Sequence, residues 1–220
     1  MESQDDSGRV LLINKPFQWT SFDVVNKLRY RLKIKKVGHA GTLDPLATGL
    51  LIICTGRMTK RIEEFMGLEK EYTGTFILGK TTPSHDLETD IVEGKDISDL
   101  TEEQIASATR ALTGSIQQLP PMHSAIRIGG KRAYQFARKG QEVALKVREV
   151  EVSTFEITRI ALPEVAFRII CSKGTYIRSI ARDFGDALGV GAYLTDLCRT
   201  RIGNFRLEDA VNIEAIDPKP

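Results

Sequence analysis

The sequence predicts an α+β fold built on a mixed, mostly antiparallel sheet flanked by helices. Short apolar or alternating runs that read as strands occur both singly and as a hairpin, amphipathic segments with helical spacing lie between them, and glycine, proline and capping residues mark the junctions. After a polar tail over residues 1–8, read as disordered, Arg9–Ile13 is a short buried strand. It ends at Asn14, Lys15 and Pro16, since proline offers no N–H to a ladder. Thr20 to Asp23 (TSFD) supplies a side-chain cap, and Val24, Val25, Leu28 and Leu32 share one face, so a helix is expected from about Ser21 to Leu32.

Gly49–Thr55 (GLLIICT) is a compact apolar strand, and Glu69–Leu78 is rich in strand formers, with Gly74 where a bulge could sit. Thr101 to Gln104 (TEEQ) has the form of a capping box opening a helix to about Leu112, closed by Gly114. Pro120-Pro121 and Gly129-Gly130 bracket a short strand inside a polar, turn-rich insertion over 117–148. Val147–Ile160 and Glu164–Cys171 form an antiparallel pair turned at Leu162-Pro163, and a change of phase between Val152 and Phe155 predicts a bulge. A last helix runs from about Thr175 to Leu188, with Ile177, Ile180, Ala181, Phe184 and Leu188 inward and Gly189 as its stop.

The 220 residues are enough for one substantial core, and 41% hydrophobic with 27% charged residues is an ordinary globular balance. Three scattered cysteines without a C-x-x-C pair read as reduced, buried small hydrophobes. The three histidines never fall at H-x-x-x-H spacing, so neither a zinc site nor any other metal is expected. The acidic amino terminus is unlike a secretory signal, and no run approaches the roughly 20 apolar residues of a membrane span. A cytoplasmic protein without membrane attachment is expected, and nothing demands more than a monomer.

The formal net charge of +2 hides its parts. Residues 27–36 hold six basic side chains and no acidic one; residues 117–148 hold seven (Arg127, Lys131, Arg132, Arg138, Lys139, Lys146, Arg148) against Glu142, with Tyr134 and Phe136 interleaved. Residues 86–103 hold eight acidic side chains against Lys95. Basic residues interleaved with aromatics suit an RNA-contacting arm, an ordinary basic surface hairpin being the alternative, and the acidic segment would face away from RNA.

The chemistry concentrates in Val37–Gly49 (VGHAGTLDPLATG). Gly38, Gly41 and Gly49 permit unusual backbone, and Pro45 keeps Asp44 out of helical conformation, so Asp44 is a carboxylate fixed on a glycine-flanked loop before a buried strand. Asp-Pro is also a common turn starter, and Gly38 to Gly41 fits the G-x-x-G loop of KH domains. The P-loop pattern is absent, and a glycosidase would need a second placed carboxylate.

The run GHAGTLDPLATG, with NKPFQWTS before it, EYTGTFILG after it and CSKGTYIRSIARDFG late in the chain, resembles the TruB family of tRNA pseudouridine synthases over about Leu12–Ile213. The resemblance implies a pseudouridine synthase catalytic domain over 9–220, with 117–148 as a thumb-like RNA-contacting insertion. It implies isomerisation of the T-loop uridine at tRNA position 55, with the base flipped and no cofactor. It gives Asp44 as the essential aspartate, Arg178 as the arginine paired with it, and Tyr72 as the tyrosine stacked on the target base. His39 would fill the space the uridine leaves, Thr42, Tyr176 and Leu197 would line the pocket, and Lys60 would be a conformationally important lysine. Arg127, Lys131 and Arg132 would contact RNA. Without the family, Arg178 reads as a solvated helix residue and Tyr72 as strand packing. The sequence departs from the family at Asn14, where Asp is common, at Gln18, where Gly is common, and at Arg127, where Lys is usual; many members also continue into a separate C-terminal RNA-binding domain. A non-catalytic RNA-binding module with Asp44 merely structural is the competing expectation.

Overall fold

The structure, a computed structural model, describes residues 8–217 except 93, 125, 138 and 142. The expected disordered tail thus lies almost wholly outside the described residues. From the amino end run β1 (Val10–Lys15), α1 (Ser21–Leu32), β2 (Val37–His39), β3 (Thr48–Thr55), α2 (Ile62–Gly67) and β4 (Lys70–Leu78). Next come α3 (Glu102–Ala111), β5 (Gly114–Gln118), β6 (Arg127–Ile128), β7 (Lys131–Arg132), α4 (Ala133–Ala137), β8 (Arg148–Ala161) and β9 (Glu164–Cys171). These are followed by α5 (Ile177–Ala187), β10 (Ala192–Ile202) and β11 (Phe205–Arg206). The chain divides into two compact units, Met1–Thr73 with Asp196–Pro220, and Gly74–Thr195, and β4 and β10 each contribute residues to both.

In the first unit β3 is the spine. It pairs antiparallel with β1, Leu12 opposite Ile52, and antiparallel with β2, but parallel with β10 through Thr48 and Cys198, so the sheet is mixed. Leu51 and Ile53 join Val24, Val25, Leu28 and Leu32 of α1 in one core cluster, while Leu50, Ile52 and Cys54 join Phe65 and Ile202 in another. A strand covered on both faces needs apolar side chains at every position, which is why GLLIICT is continuous rather than alternating. α1 forms as expected. The Thr20 hydroxyl accepts from the Asp23 N–H and the Asp23 carboxylate accepts from the Thr20 N–H; Lys33, at φ 54°, ends the helix.

In the second unit β5, β8 and β9 form an antiparallel ladder, with β4 next to β9. Phe76, Phe155, Phe167 and Phe184 fill its centre, with the rings of Phe76 and Phe167 stacked at 4.1 Å. The bulge foreseen in β8 is present as a register shift between Val152 and Thr154, and a second lies between Ile157 and Arg159. No change of phase occurs at Gly74: burial alternates without a break from Lys70 to Leu78, and the glycine occupies an ordinary inward position. Thr101 caps α3 through the expected box with Gln104.

Both ends of the segment 117–148 take part in the main sheet. Gln117 and Gln118 belong to β5 and Arg148 opens β8, because Gln118 is fully buried and spends its amide on the backbone of Tyr176. What remains is the β6–β7 hairpin over Gly129-Gly130 followed by α4. β10 was not anticipated from the sequence, since Asp196, Arg199 and Arg201 interrupt its apolar alternation. Cys54 and Cys171 are buried as expected, and Cys198 is half-buried. Among the described residues no helix is long and apolar enough to cross a membrane.

Phe76 is fully buried in the aromatic cluster, so Phe76→Ala leaves a cavity and is expected to lower stability by about 3–5 kcal/mol, read as a shift of the urea midpoint.

Candidate active site

The segment from Val37 to Gly49 leaves β2 and returns as β3. Its path is set first by backbone hydrogen bonds: Ala40 N–H donates to the Ile52 carbonyl (2.9 Å), and Ala47 N–H to the Asp44 carbonyl (3.1 Å), closing a turn over Asp44-Pro45. Leu43 is buried, and its N–H donates to the Ser21 hydroxyl at the start of α1 (2.9 Å). Gly49 has φ 99°, and a Cβ there would stand 2.4 Å from the Arg199 carbonyl, so this position admits only glycine. The KH reading fails because a strand enters this loop and a strand leaves it, whereas a G-x-x-G clamp joins two helices.

Two fully buried cations grip this loop. The Lys15 ammonium donates to the carbonyls of Pro16 (2.8 Å), Trp19 (2.6 Å) and Pro45 (3.3 Å). Burial pulls its pKa from 10.5 down to about 8; the negative charge of Asp44 acts in the opposite direction, and the Arg199 charge lowers it further. Arg199 spends its guanidinium on the carbonyls of Leu50, Thr42 and Gly41. Asp44 therefore stands half-buried on a loop pinned from both sides, with its charge interacting with that of Lys15.

The other residues expected in the first unit occupy different positions. His39, in β2, is half-buried opposite Ile53, and Thr42 is exposed with its carbonyl on Arg199. Leu197 is buried in β10, its carbonyl accepting from the Thr48 hydroxyl (3.5 Å), which sets it beside the end of the Asp44 loop. Tyr72 is buried on the inward face of β4. Lys60 is exposed on the turn after β3, at the end of that strand away from Thr48.

In the second unit Tyr176 caps α5, its backbone held at both polar atoms by Gln118 and its ring covered by the Arg148 guanidinium at 5.3 Å. Arg178, far from being solvated, is 3% exposed. It pairs with Asp86 at 3.5 Å and donates to the carbonyls of Ser84 (3.3 Å) and His123 (2.8 Å). Asp86 is accordingly buried, so it is one acidic side chain of residues 86–103 that adds nothing to a surface there. Lys131 and Arg132 are exposed on the β6–β7 hairpin; Arg127 pairs there through its backbone, and its side chain, like Arg138 and Glu142, lies outside the described residues.

Lys15, Arg199, Asp86 and Gln118 were not singled out from the sequence. Period-two spacing could have found two of them, because Lys15 is in phase with Ile13, and Arg199 with Leu197, on inward faces. Gln18 explains its own departure: it has φ 64°, a conformation glycine adopts freely, and its N–H donates to the Pro45 carbonyl. Among the described residues no group of three or more His, Cys, Asp or Glu could hold a metal ion.

Comparison with known proteins places this arrangement. The fold is similar to that of a chain in the crystal structure of a Cbf5-Nop10-Gar1 complex, with a TM-score of 0.73 and 30% identity over 93% of this chain. It is also similar to a chain of an H/ACA RNP bound to a substrate RNA containing 2′-deoxyuridine (TM-score 0.70, 28% identity, 95% of this chain). The chain spans about half of each of those, 52%. Fold and loop together define a pseudouridine synthase, an enzyme that isomerises uridine within RNA. Residues 29–177 match the N-terminal domain of TruB family pseudouridylate synthase and residues 178–218 match the tRNA pseudouridylate synthase B C-terminal domain. The proteins named tRNA pseudouridine synthase B of Flavobacterium johnsoniae and Phocaeicola vulgatus are each 52% identical to it, over 94% of this chain and 93% and 91% of theirs. The chain belongs to the TruB family.

Lys15 is charged below about pH 8 and neutral above it, so the field at Asp44 weakens as pH rises through that value. Activity is expected to show an alkaline limb near pH 8 that Lys15→Met, at a lower constant rate, lacks. Stability moves the other way. The folded pKa is depressed, so the unfolded chain holds the extra proton between about pH 8 and 10.5, and the Lys15 contribution to stability rises across that window.

Proposed function

We propose that this chain converts the T-loop uridine at tRNA position 55 to pseudouridine, with Asp44 as the catalytic carboxylate. The observation that carries this reading is the setting of Asp44: a carboxylate on a loop whose backbone carbonyls are held by the buried Lys15 and Arg199. The 52% identical relatives named tRNA pseudouridine synthase B support a tRNA substrate.

The reaction is an isomerisation. The bond from sugar C1′ to uracil N1 breaks, the base turns, and C1′ bonds to C5; the proton displaced from C5 is balanced by one taken up at N1. Attack on the sugar, attack on the base and removal of a sugar proton all start from an ionised carboxylate at a fixed position, and the hydrogen bonds of Lys15 and Arg199 to the loop support the fixed position. The uridine has to leave its stack, at a cost of a few kcal/mol. The resemblance assigns Tyr72 to the aromatic face that offsets this cost, His39 to the vacated space, and Tyr176, Leu197 and Thr42 to the pocket wall. It assigns Arg178 to the guanidinium that pairs with the carboxylate; the burial of Arg178 and its rigid setting on Asp86 and two carbonyls support a positional role. The exposed Lys131 and Arg132 support RNA contact by the hairpin, in which phosphate neutralisation supplies affinity rather than chemistry.

Asp44→Asn keeps the volume and removes the charge. It is expected to lower the single-turnover rate on a T-arm stem-loop by at least about 10³-fold, with RNA affinity retained, as measured by pseudouridine-specific chemistry. Wild-type product formation by this variant would leave the chain a pseudouridine synthase with another catalytic group. Binding of the same RNA is expected to slow hydrogen exchange across Arg127–Arg132; equal exchange in free and bound states would remove the hairpin from the interface.

A further inference from the structure

We infer that Arg199 is a positioning residue for the reaction, the staple that closes the Asp44 loop and holds its carboxylate in register. The inference rests on the reading of Asp44 as the catalytic group. Its observations come from one compact unit.

Arg199 lies in β10 with its backbone opposite Gly49 of β3, and its side chain is 1% exposed. From there the guanidinium reaches both flanks of the segment that carries Asp44. Nε donates to the Leu50 carbonyl (2.8 Å) after the loop; Nη2 and Nη1 donate to the Gly41 (3.2 Å) and Thr42 (3.4 Å) carbonyls before it. Residues 43–49 are therefore a closed loop whose two ends are tied by one planar group. Gly49 is part of the same device, because a Cβ there would stand 2.7 Å from the Arg199 nitrogen and 2.4 Å from its carbonyl, pushing strand and staple apart.

Burying a cation costs free energy that hydrogen bonds to neutral carbonyls repay only in part, and among the described residues no carboxylate pairs with Arg199. An apolar side chain would fill β10 at lower cost. A guanidinium offers a rigid fork whose separate nitrogens reach carbonyls lying apart, and it adds a fixed positive charge behind a loop that carries a carboxylate. The lysine ammonium can also meet three carbonyls, as Lys15 does, but only where they converge on one nitrogen; here Leu50 is met at Nε and Gly41 and Thr42 at Nη2 and Nη1, so lysine cannot reproduce the spread.

The test is Arg199→Lys in the full chain, assayed on the T-arm stem-loop with chemistry and binding measured separately. The single-turnover rate is expected to fall about 100-fold, as a misplacement near 1 Å produces, while RNA affinity stays within about threefold and the melting temperature within a few degrees. A rate within about threefold of wild type, with Asp44→Asn inactive in parallel, overturns the staple and leaves the Asp44 reading standing. A joint fall of rate, RNA affinity and melting temperature makes Arg199 merely structural and also overturns it. Full activity of Asp44→Asn overturns the reading beneath the inference, and the inference with it. If Arg199→Lys and Arg199→Gln both fail to fold, wild-type hydrogen exchange decides. Amides 41–49 are expected to exchange only with global unfolding, and local opening of that segment overturns the proposal.

Discussion

The loop that carries Asp44 has to be fixed through its main chain, and this protein does so with buried cations bonded to backbone carbonyls. Asp44 belongs to a loop with few side chains of its own to pack, so the loop is fixed through its main chain: Lys15 takes the Pro45 carbonyl and Arg199 those of Gly41 and Thr42. The same charges keep the surroundings positive. Much else follows. β1 has to end at Lys15, Gly49 has to lack a side chain, β10 has to run parallel to β3 at Thr48 and Cys198, and Gln18 has to accept a left-handed backbone to meet Pro45.

The second unit uses the same principle with a different balance. Arg178 is also buried and also donates to carbonyls, those of Ser84 and His123, but it has Asp86 as a counter-charge. A paired guanidinium is a cheaper thing to bury than an unpaired one, and it is oriented by an anion as well as by carbonyls. Gln118 extends the device by clamping both backbone polar atoms of Tyr176, two residues before Arg178. Rigidity at α5 therefore originates in polar groups directed at backbone, while the phenylalanine cluster supplies the bulk of the burial.

The charge pattern changes meaning once burial is known. In residues 27–36 the arginines are partly structural: Arg31 donates to the carbonyls of Ile216 and Glu214, and Arg29 bonds Asn26, leaving Lys27, Lys33, Lys35 and Lys36 exposed. In residues 86–103 Asp86 is withdrawn from the surface by Arg178, while Asp96 stays exposed and accepts hydrogen bonds from the Ser98 N–H and hydroxyl. A count of charges along the chain thus overstates the field in one segment and misplaces it in the other. Arginine is the residue that misleads, since its long stem and fork suit a buried carbonyl clamp as well as a phosphate.

By itself the sequence determined the periodic elements and the loop chemistry. α1 with its Thr20 cap, α3 with its box, the continuous burial of β3, the β8–β9 pair with its bulge and the glycine-flanked Asp44 all follow from local spacing and backbone limits, which depend only on neighbours along the chain. The resemblance carried by GHAGTLDPLATG and GTYIRSIA added the chemistry of the family. Tertiary structure alone decided which polar side chains are inside. Lys15 and Arg199, read locally, are solvated cations at a strand end and in a mixed-composition stretch, and Asp86 is one acid among eight. Their burial depends on carbonyls and counter-charges supplied by residues distant in sequence: Arg199 bonds Leu50, 149 positions away, and Arg178 bonds Ser84, 94 positions away. Period-two phase places Lys15 and Arg199 on inward faces, but the partners that make their burial tolerable come only from the tertiary structure.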